Sequence, residues 1–64
     1  MERKELINSM KNFTGAGFIT RSQLAEFMGY KDPHYVDRYI NGLQRINKRY
    51  FINDVATVLQ QVMN

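Results

Sequence analysis

The sequence predicts a mainly α-helical domain with a small β-hairpin, arranged as a winged helix-turn-helix. Three observations predict it. Between Phe18 and Leu43 two short helical patterns flank a glycine-containing turn. Directly afterwards, in GLQRINKRYFIN (residues 42–53), the helical apolar period gives way to a run rich in β-favouring residues with a turn at its middle. The chain has 64 residues, 44% of them hydrophobic and 23% charged, which fits one ordinary globular domain rather than a disordered tail. A domain this small buries only about 60% of its unfolded surface, so no deep active-site cavity is expected.

In chain order, residues 1–13 form the first element. Leu6, Ile7, Met10 and Phe13 recur at helical spacing, and Glu2, Arg3, Lys4, Glu5, Asn8 and Lys11 occupy the remaining surface. The helix is read first as one that closes the core and second as a dimerisation or partner-docking helix. Thr14, Gly15, Ala16 and Gly17 break the pattern, because paired glycines cost chain entropy inside a regular element. Phe18 and Ile19 suit a very short strand that pairs with the later hairpin.

The helix-turn-helix spans residues 20–42. Thr20 is an N-cap with Gln23 three residues on, the capping-box spacing, so a helix starts at Arg21. Leu24, Ala25, Phe27 and Met28 form its apolar side, and Gly29 follows where a left-handed residue ends the helix. Asp32 is a second N-cap and Pro33 sits at the first helical position, where a missing N–H is harmless. Val36, Ile40 and Leu43 then make a buried seam. The hairpin covers residues 43–52, with strands at Leu43–Ile46 and Arg49–Ile52 around a turn at Asn47 and Lys48. Asn53 is expected to cap the last helix, residues 53–63, with Asp54 in its first turn and Val55, Val58, Leu59 and Val62 as its buried stripe.

Composition excludes several functions. There is no cysteine, so disulfides and thiolate zinc sites are ruled out, and a single His cannot build a His-rich metal site. No cofactor is expected. No apolar run approaches the roughly 20 residues of a membrane span, and MERKELIN lacks the apolar centre of a signal peptide, so no membrane association and a cytoplasmic location are expected. Ser9 and Ser22 have no plausible His and Asp partners, the acids form no recognisable pair, and no glycine-rich phosphate loop exists. The chain is not expected to be an enzyme.

Nine Lys and Arg against six Asp and Glu leave a net charge of +3. That excess is concentrated, since Arg45, Lys48 and Arg49 lie in a stretch without an acid. These three are expected to contact phosphates, against the plainer reading of a hairpin kept soluble by charge. The outer side of the second helix carries His34, Tyr35, Asp37, Arg38 and Asn41. Arg38 suits guanine and Asn41 suits adenine in the major groove, with His34 and Tyr35 beside them. The plainer readings are an Arg38 paired with Asp37 or Asp32, an Asn41 that merely ends the helix before Gly42, and a solvent-exposed His34 beside the cap. Asp37 is expected to orient Arg38 or Lys31, or to accept from a cytosine amine. Arg21 and Ser22, at the first turn of the earlier helix, and Lys31 complete the expected backbone contacts. Tyr39 is expected to be half buried and Tyr35 exposed.

The run ITRSQLAEFM from Ile19 to Met28, then Gly29, then Val36, Tyr39 and Ile40, then Arg49-Tyr50-Phe51-Ile52-Asn53-Asp54-Val55, resembles the small winged helix-turn-helix of phage and transposon excisionases, related to the DNA-binding head of MerR-type regulators. The resemblance covers about residues 18 to 60. It implies a recombination directionality factor: a non-enzymatic protein of a bacterial or phage-infected cell that binds and bends attachment-site DNA and helps an integrase or recombinase excise a mobile element. It also implies cooperative binding to double-stranded DNA; independently, a monomer this small makes few phosphate contacts, so cooperative self-association or a homodimer is expected. Carried over by position, His34, Tyr35, Arg38 and Asn41 face the major groove, and Arg45, Lys48 and Arg49 belong to the wing. The alternatives are a small phage or mobile-element transcriptional regulator and a protein-interaction module on the same scaffold.

Overall fold

A computed structural model describes residues 2–63. The element order is α1 (Arg3–Thr14), β1 (Phe18–Thr20), α2 (Arg21–Met28), a 3₁₀ turn (Pro33–Val36) running into α3 (Asp37–Ile40), β2 (Arg45–Ile46), β3 (Arg49–Phe51) and α4 (Ile52–Met63). The fold is mainly helical with one small antiparallel sheet, in strand order β1-β3-β2. Register places Phe18 opposite Phe51, Ile19 opposite Tyr50 and Thr20 opposite Arg49, so the short strand expected at Phe18 does join the hairpin.

Local chemistry explains most of the boundaries. The Gln23 amide donates to Thr20 Oγ1 at 3.1 Å and the Thr20 amide to Gln23 Oε1 at 3.0 Å, a complete capping box. At the other end of α2, Gly29 adopts φ +83°, its N–H donates to Glu26 O at 3.1 Å, and the Tyr30 N–H donates to Ala25 O at 2.8 Å. This is the paired hydrogen bonding of a Schellman end, which needs a left-handed residue. Asp32 accepts from the His34 amide at 2.9 Å and Pro33 follows it, as the sequence predicts.

The structure departs from expectation at three places. The second helix of the pair is not one regular helix; its first turn is wound as 3₁₀ and only Asp37–Ile40 is α-helical. Val36, Tyr39 and Ile40 all enter the core from this short piece, and Tyr39 is buried rather than half buried, at 8% exposure. Second, α4 starts at Ile52, and Asn53 lies inside its first turn instead of capping it. The reason is tertiary: the Ile52 amide donates to the carbonyl of Gly17 at 3.1 Å, so an otherwise orphaned helix-end donor is satisfied by the loop before β1. Third, the buried seam of α4 is Ile52, Val55, Ala56 and Leu59, while Val62, beyond the last buried residue, is 54% exposed. The strands are also shorter than expected, with Leu43 and Gln44 outside β2.

Every element except β2 contributes to one core. Leu6 and Met10 come from α1, Ile19 from β1, Leu24 and Ala25 from α2, and Tyr50 from β3, packed against the residues of α3 and α4 already named. Among the described residues the only polar groups on buried side chains are the hydroxyls of Tyr39 and Tyr50, and no charged side chain is buried. Polar chemistry therefore lies on the surface.

The hairpin turn is two residues long, with Asn47 at φ 51° and Lys48 at φ 66°. Two positive-φ residues match the twist of a tight hairpin, but Lys48 holds a conformation that suits glycine. Lys48→Gly is therefore expected to stabilise the fold and Gly29→Ala to destabilise it, each by about 1 kcal/mol. Urea midpoints moving in the same direction for both variants would contradict this account.

Candidate nucleic-acid interface

All ten residues expected to meet DNA are solvent-exposed: Arg21, Ser22, Lys31, His34, Tyr35, Arg38, Asn41, Arg45, Lys48 and Arg49. Packing sorts them into distinct groups. Arg21, the first residue of α2, reaches across to Asp37, the first residue of α3. Its Nε donates to Oδ1 at 2.5 Å and its Nη2 to Oδ2 at 2.8 Å. His34 Nδ1 stands 3.4 Å from Arg21 Nη2 and 3.5 Å from Asp37 Oδ2. This bidentate pair corrects the expectation that Asp37 orients Arg38 or Lys31. The tertiary approach of the two helix starts brings a guanidinium to Asp37 from a different element, and a planar guanidinium matches both carboxylate oxygens at once.

The Arg21 hydrogen bond holds the Asp37 carboxyl below its ordinary value, with the nearby charges of Arg21 and His34 adding to it and desolvation opposing. Arg21 is raised by the same hydrogen bond first, and then by the charges of Asp37, Asp32 and Tyr50. A depressed carboxyl pKa contributes stability that is present above the unfolded value of 3.8 and is lost as pH falls through the lower folded value. Asp37→Asn is therefore expected to have a lower denaturant midpoint than the parent at pH 7. The two midpoints should converge only as pH falls through that lowered folded value, where the parent carboxyl also becomes neutral. Parallel curves at all pH values would remove the pair from the stability of the fold.

A second group surrounds Tyr39. Arg38 Nη2 donates to the Tyr39 hydroxyl at 3.2 Å, and its guanidinium carbon lies 5.1 Å from the centre of that ring. This contact lowers the Tyr39 hydroxyl pKa, and the neighbouring Tyr30 hydroxyl lowers it further; Tyr30 is raised in turn by Tyr39. The Tyr30 and Tyr35 rings are 5.6 Å apart. His34 thus belongs with Arg21 and Asp37, whereas Tyr35 and Arg38 belong with the tyrosines. The side chains of Asn41, Lys31 and Ser22 make no hydrogen bond among the described residues.

Strand alternation divides the hairpin cations. Arg45 lies opposite Tyr50, which lies opposite Ile19, so these three share a sheet face. Arg49 lies between Thr20 and Ile46 on the other face, with Phe18 and Phe51, whose rings are 5.0 Å apart. An open groove of about 460 Å³ accordingly runs between α2 and the hairpin, lined by Thr20, Arg21, Ser22, Arg45, Lys48 and Tyr50. Arg49 instead borders a smaller groove of about 190 Å³ with Thr14, Ala16, Phe18, Thr20 and Gln23.

Compared with protein-family models, curated proteins and solved structures, the chain finds no match. Tyr50, a residue of the larger groove, was not among the expected contacts, since sequence reasoning took it as a strand former and as part of the run that carries the family resemblance. Its signal was the parity of a two-residue hairpin, which puts Tyr50 and Arg45 on one face once Ile46 is paired with Arg49.

Proposed function

We propose that the chain is a winged helix-turn-helix module that binds double-stranded DNA sequence-specifically, in the manner of an excisionase-like recombination directionality factor. One observation carries the reading: a single residue, Arg21, ties together the surfaces that such a module has to present side by side. It is bonded to Asp37 and next to His34 at the start of the second helix, and it shares a groove with Arg45 and Lys48 of the hairpin. A helix start and a cationic hairpin on one side match a duplex, the helix reading base edges in the major groove while the hairpin meets adjacent backbone phosphates.

In this reading His34, beside Arg21 and Asp37, is the base-facing residue held in that arrangement, and Tyr35, Arg38 and Asn41 are the other base-facing residues of the second helix. The chain spans only 24 × 24 × 22 Å, so one copy covers a short stretch of duplex, and useful affinity calls for cooperative neighbours or a homodimer. The excisionase role adds an integrase or recombinase as protein partner.

Fluorescence anisotropy with a random-sequence duplex over a salt series tests the DNA reading. With phosphate contacts from Arg45 and Lys48, log K should fall against log salt with a slope of roughly −2. A salt-independent affinity, or none at all alongside a stoichiometric protein complex, would transfer the chain to the interaction-module reading. Bending of DNA that carries several adjacent sites separates a directionality factor from a regulator holding one palindromic operator as an isolated dimer.

A further inference from the structure

We propose that the groove between the start of α2 and the hairpin is a discrete phosphate-binding site in which the Tyr50 hydroxyl is a built-in donor. The inference deepens the DNA reading and rests on it for the source of the phosphate. Tyr50 is 8% exposed, its ring packed in the core, yet it forms part of the groove wall. Its hydroxyl makes no hydrogen bond among the described residues. No sealed side-chain polar atom is left without a partner there, so the tip of this ring opens to solvent at the groove. A buried ring that spends its one polar atom on an open cationic groove is a fixed donor awaiting an acceptor.

The residues that carry the remaining donors line the same groove. The amides of Arg21 and Ser22 are the first two of α2 and have no intrahelical acceptor, while the third, Gln23, is already taken by the Thr20 cap. Ser22, which also carries a hydroxyl, lines the groove. The Arg21 side chain is committed to Asp37, which leaves Arg45 and Lys48 as the cations that neutralise a bound anion. Helix-start amides, a hydroxyl, a phenol and two cations make a recognition set for a tetrahedral oxyanion. Tyr50 sets the depth at which the anion sits, and with it the register of the protein along a backbone.

The full-length chain and Tyr50→Phe, which keeps the packed ring, provide the test. Inorganic phosphate is titrated at constant ionic strength while amide chemical shifts are followed. The expected result is saturable movement of the Arg21, Ser22 and Lys48 amides in the parent and its loss in Tyr50→Phe. In parallel, duplexes with one backbone phosphate replaced by a neutral methylphosphonate are compared. One replacement should weaken the parent about tenfold and leave Tyr50→Phe, already weakened by the same factor, unchanged. A gain that follows only a 5′-terminal phosphate would assign the site to duplex ends rather than to the internal backbone. Saturable phosphate shifts without duplex binding would keep the site and end the DNA reading. Duplex binding in which Tyr50→Phe matches the parent at every replaced phosphate would end the inference and leave the DNA reading standing.

Discussion

Replacing Arg45 and Lys48 together with glutamine is expected to weaken duplex binding roughly 60-fold at 0.1 M salt and to reduce the steepness of the salt dependence by about 1.8 log units per log unit. The magnitude follows from counterion release. Each neutralised phosphate is worth about 0.9 log units for a tenfold dilution of salt below 1 M, and the two residues line one groove. Arg49→Gln should behave differently, losing less than about twofold, since a cation on the other sheet face contributes only diffuse attraction, screened over roughly 10 Å. All three side chains are exposed, so the variants should fold like the parent, and matched circular-dichroism melts check this. Equal losses for Arg45→Gln, Lys48→Gln and Arg49→Gln made singly would mean that both grooves meet the duplex, and the one-sided interface proposed above would have to be abandoned.

The contrast between Arg45 and Arg49 also shows where sequence reasoning reached its limit. Features closed within three or four residues were legible: the Thr20–Gln23 box, the left-handed Gly29, the Asp32–Pro33 start and the two-residue turn at Asn47 and Lys48. Each is decided by side chains that touch their own backbone. What stayed hidden depends on residues far apart in sequence. Asp37 was assigned to near neighbours because helical spacing offers only those, whereas its partner is carried by the preceding helix. Asn53 is a good capping residue, but the Gly17 carbonyl had already satisfied the amide of Ile52 and moved the helix start forward. The three hairpin cations formed one set in sequence because charge density ignores strand faces. The tyrosine cluster around Arg38 was missed for a related reason: Tyr30 stands in the turn, outside any periodic pattern, and is brought to Tyr39 only by the fold.

Leu24→Ala should have the largest effect on the fold itself. Leu24 is fully buried on α2, which packs on the 3₁₀ turn, β1 and α1, so truncation opens a void at the junction of several elements. Such a change costs about 3 kcal/mol, lost transfer energy and cavity together. A 64-residue domain has roughly 3–10 kcal/mol of stability in all, so the variant should melt at least about 12 °C lower and be partly unfolded at 37 °C if the parent lies near the lower end. Val62→Ala is the matched control, because the sequence stripe places Val62 in the core and the structure leaves it 54% exposed; its cost should stay within about 0.5 kcal/mol. The DNA reading adds a condition. Leu24 does not line the groove, so its loss should shift the folding equilibrium without altering what the folded state binds. Duplex at about 100 times its dissociation constant should then restore roughly 2.7 kcal/mol to Leu24→Ala, as it would to the parent. An Arg45 and Lys48 double variant should gain much less from the same duplex concentration. If Leu24→Ala melted within a degree or two of the parent, or Val62→Ala cost as much, the core would be centred elsewhere, and the placement of α2 against the hairpin, on which the interface depends, would fail with it.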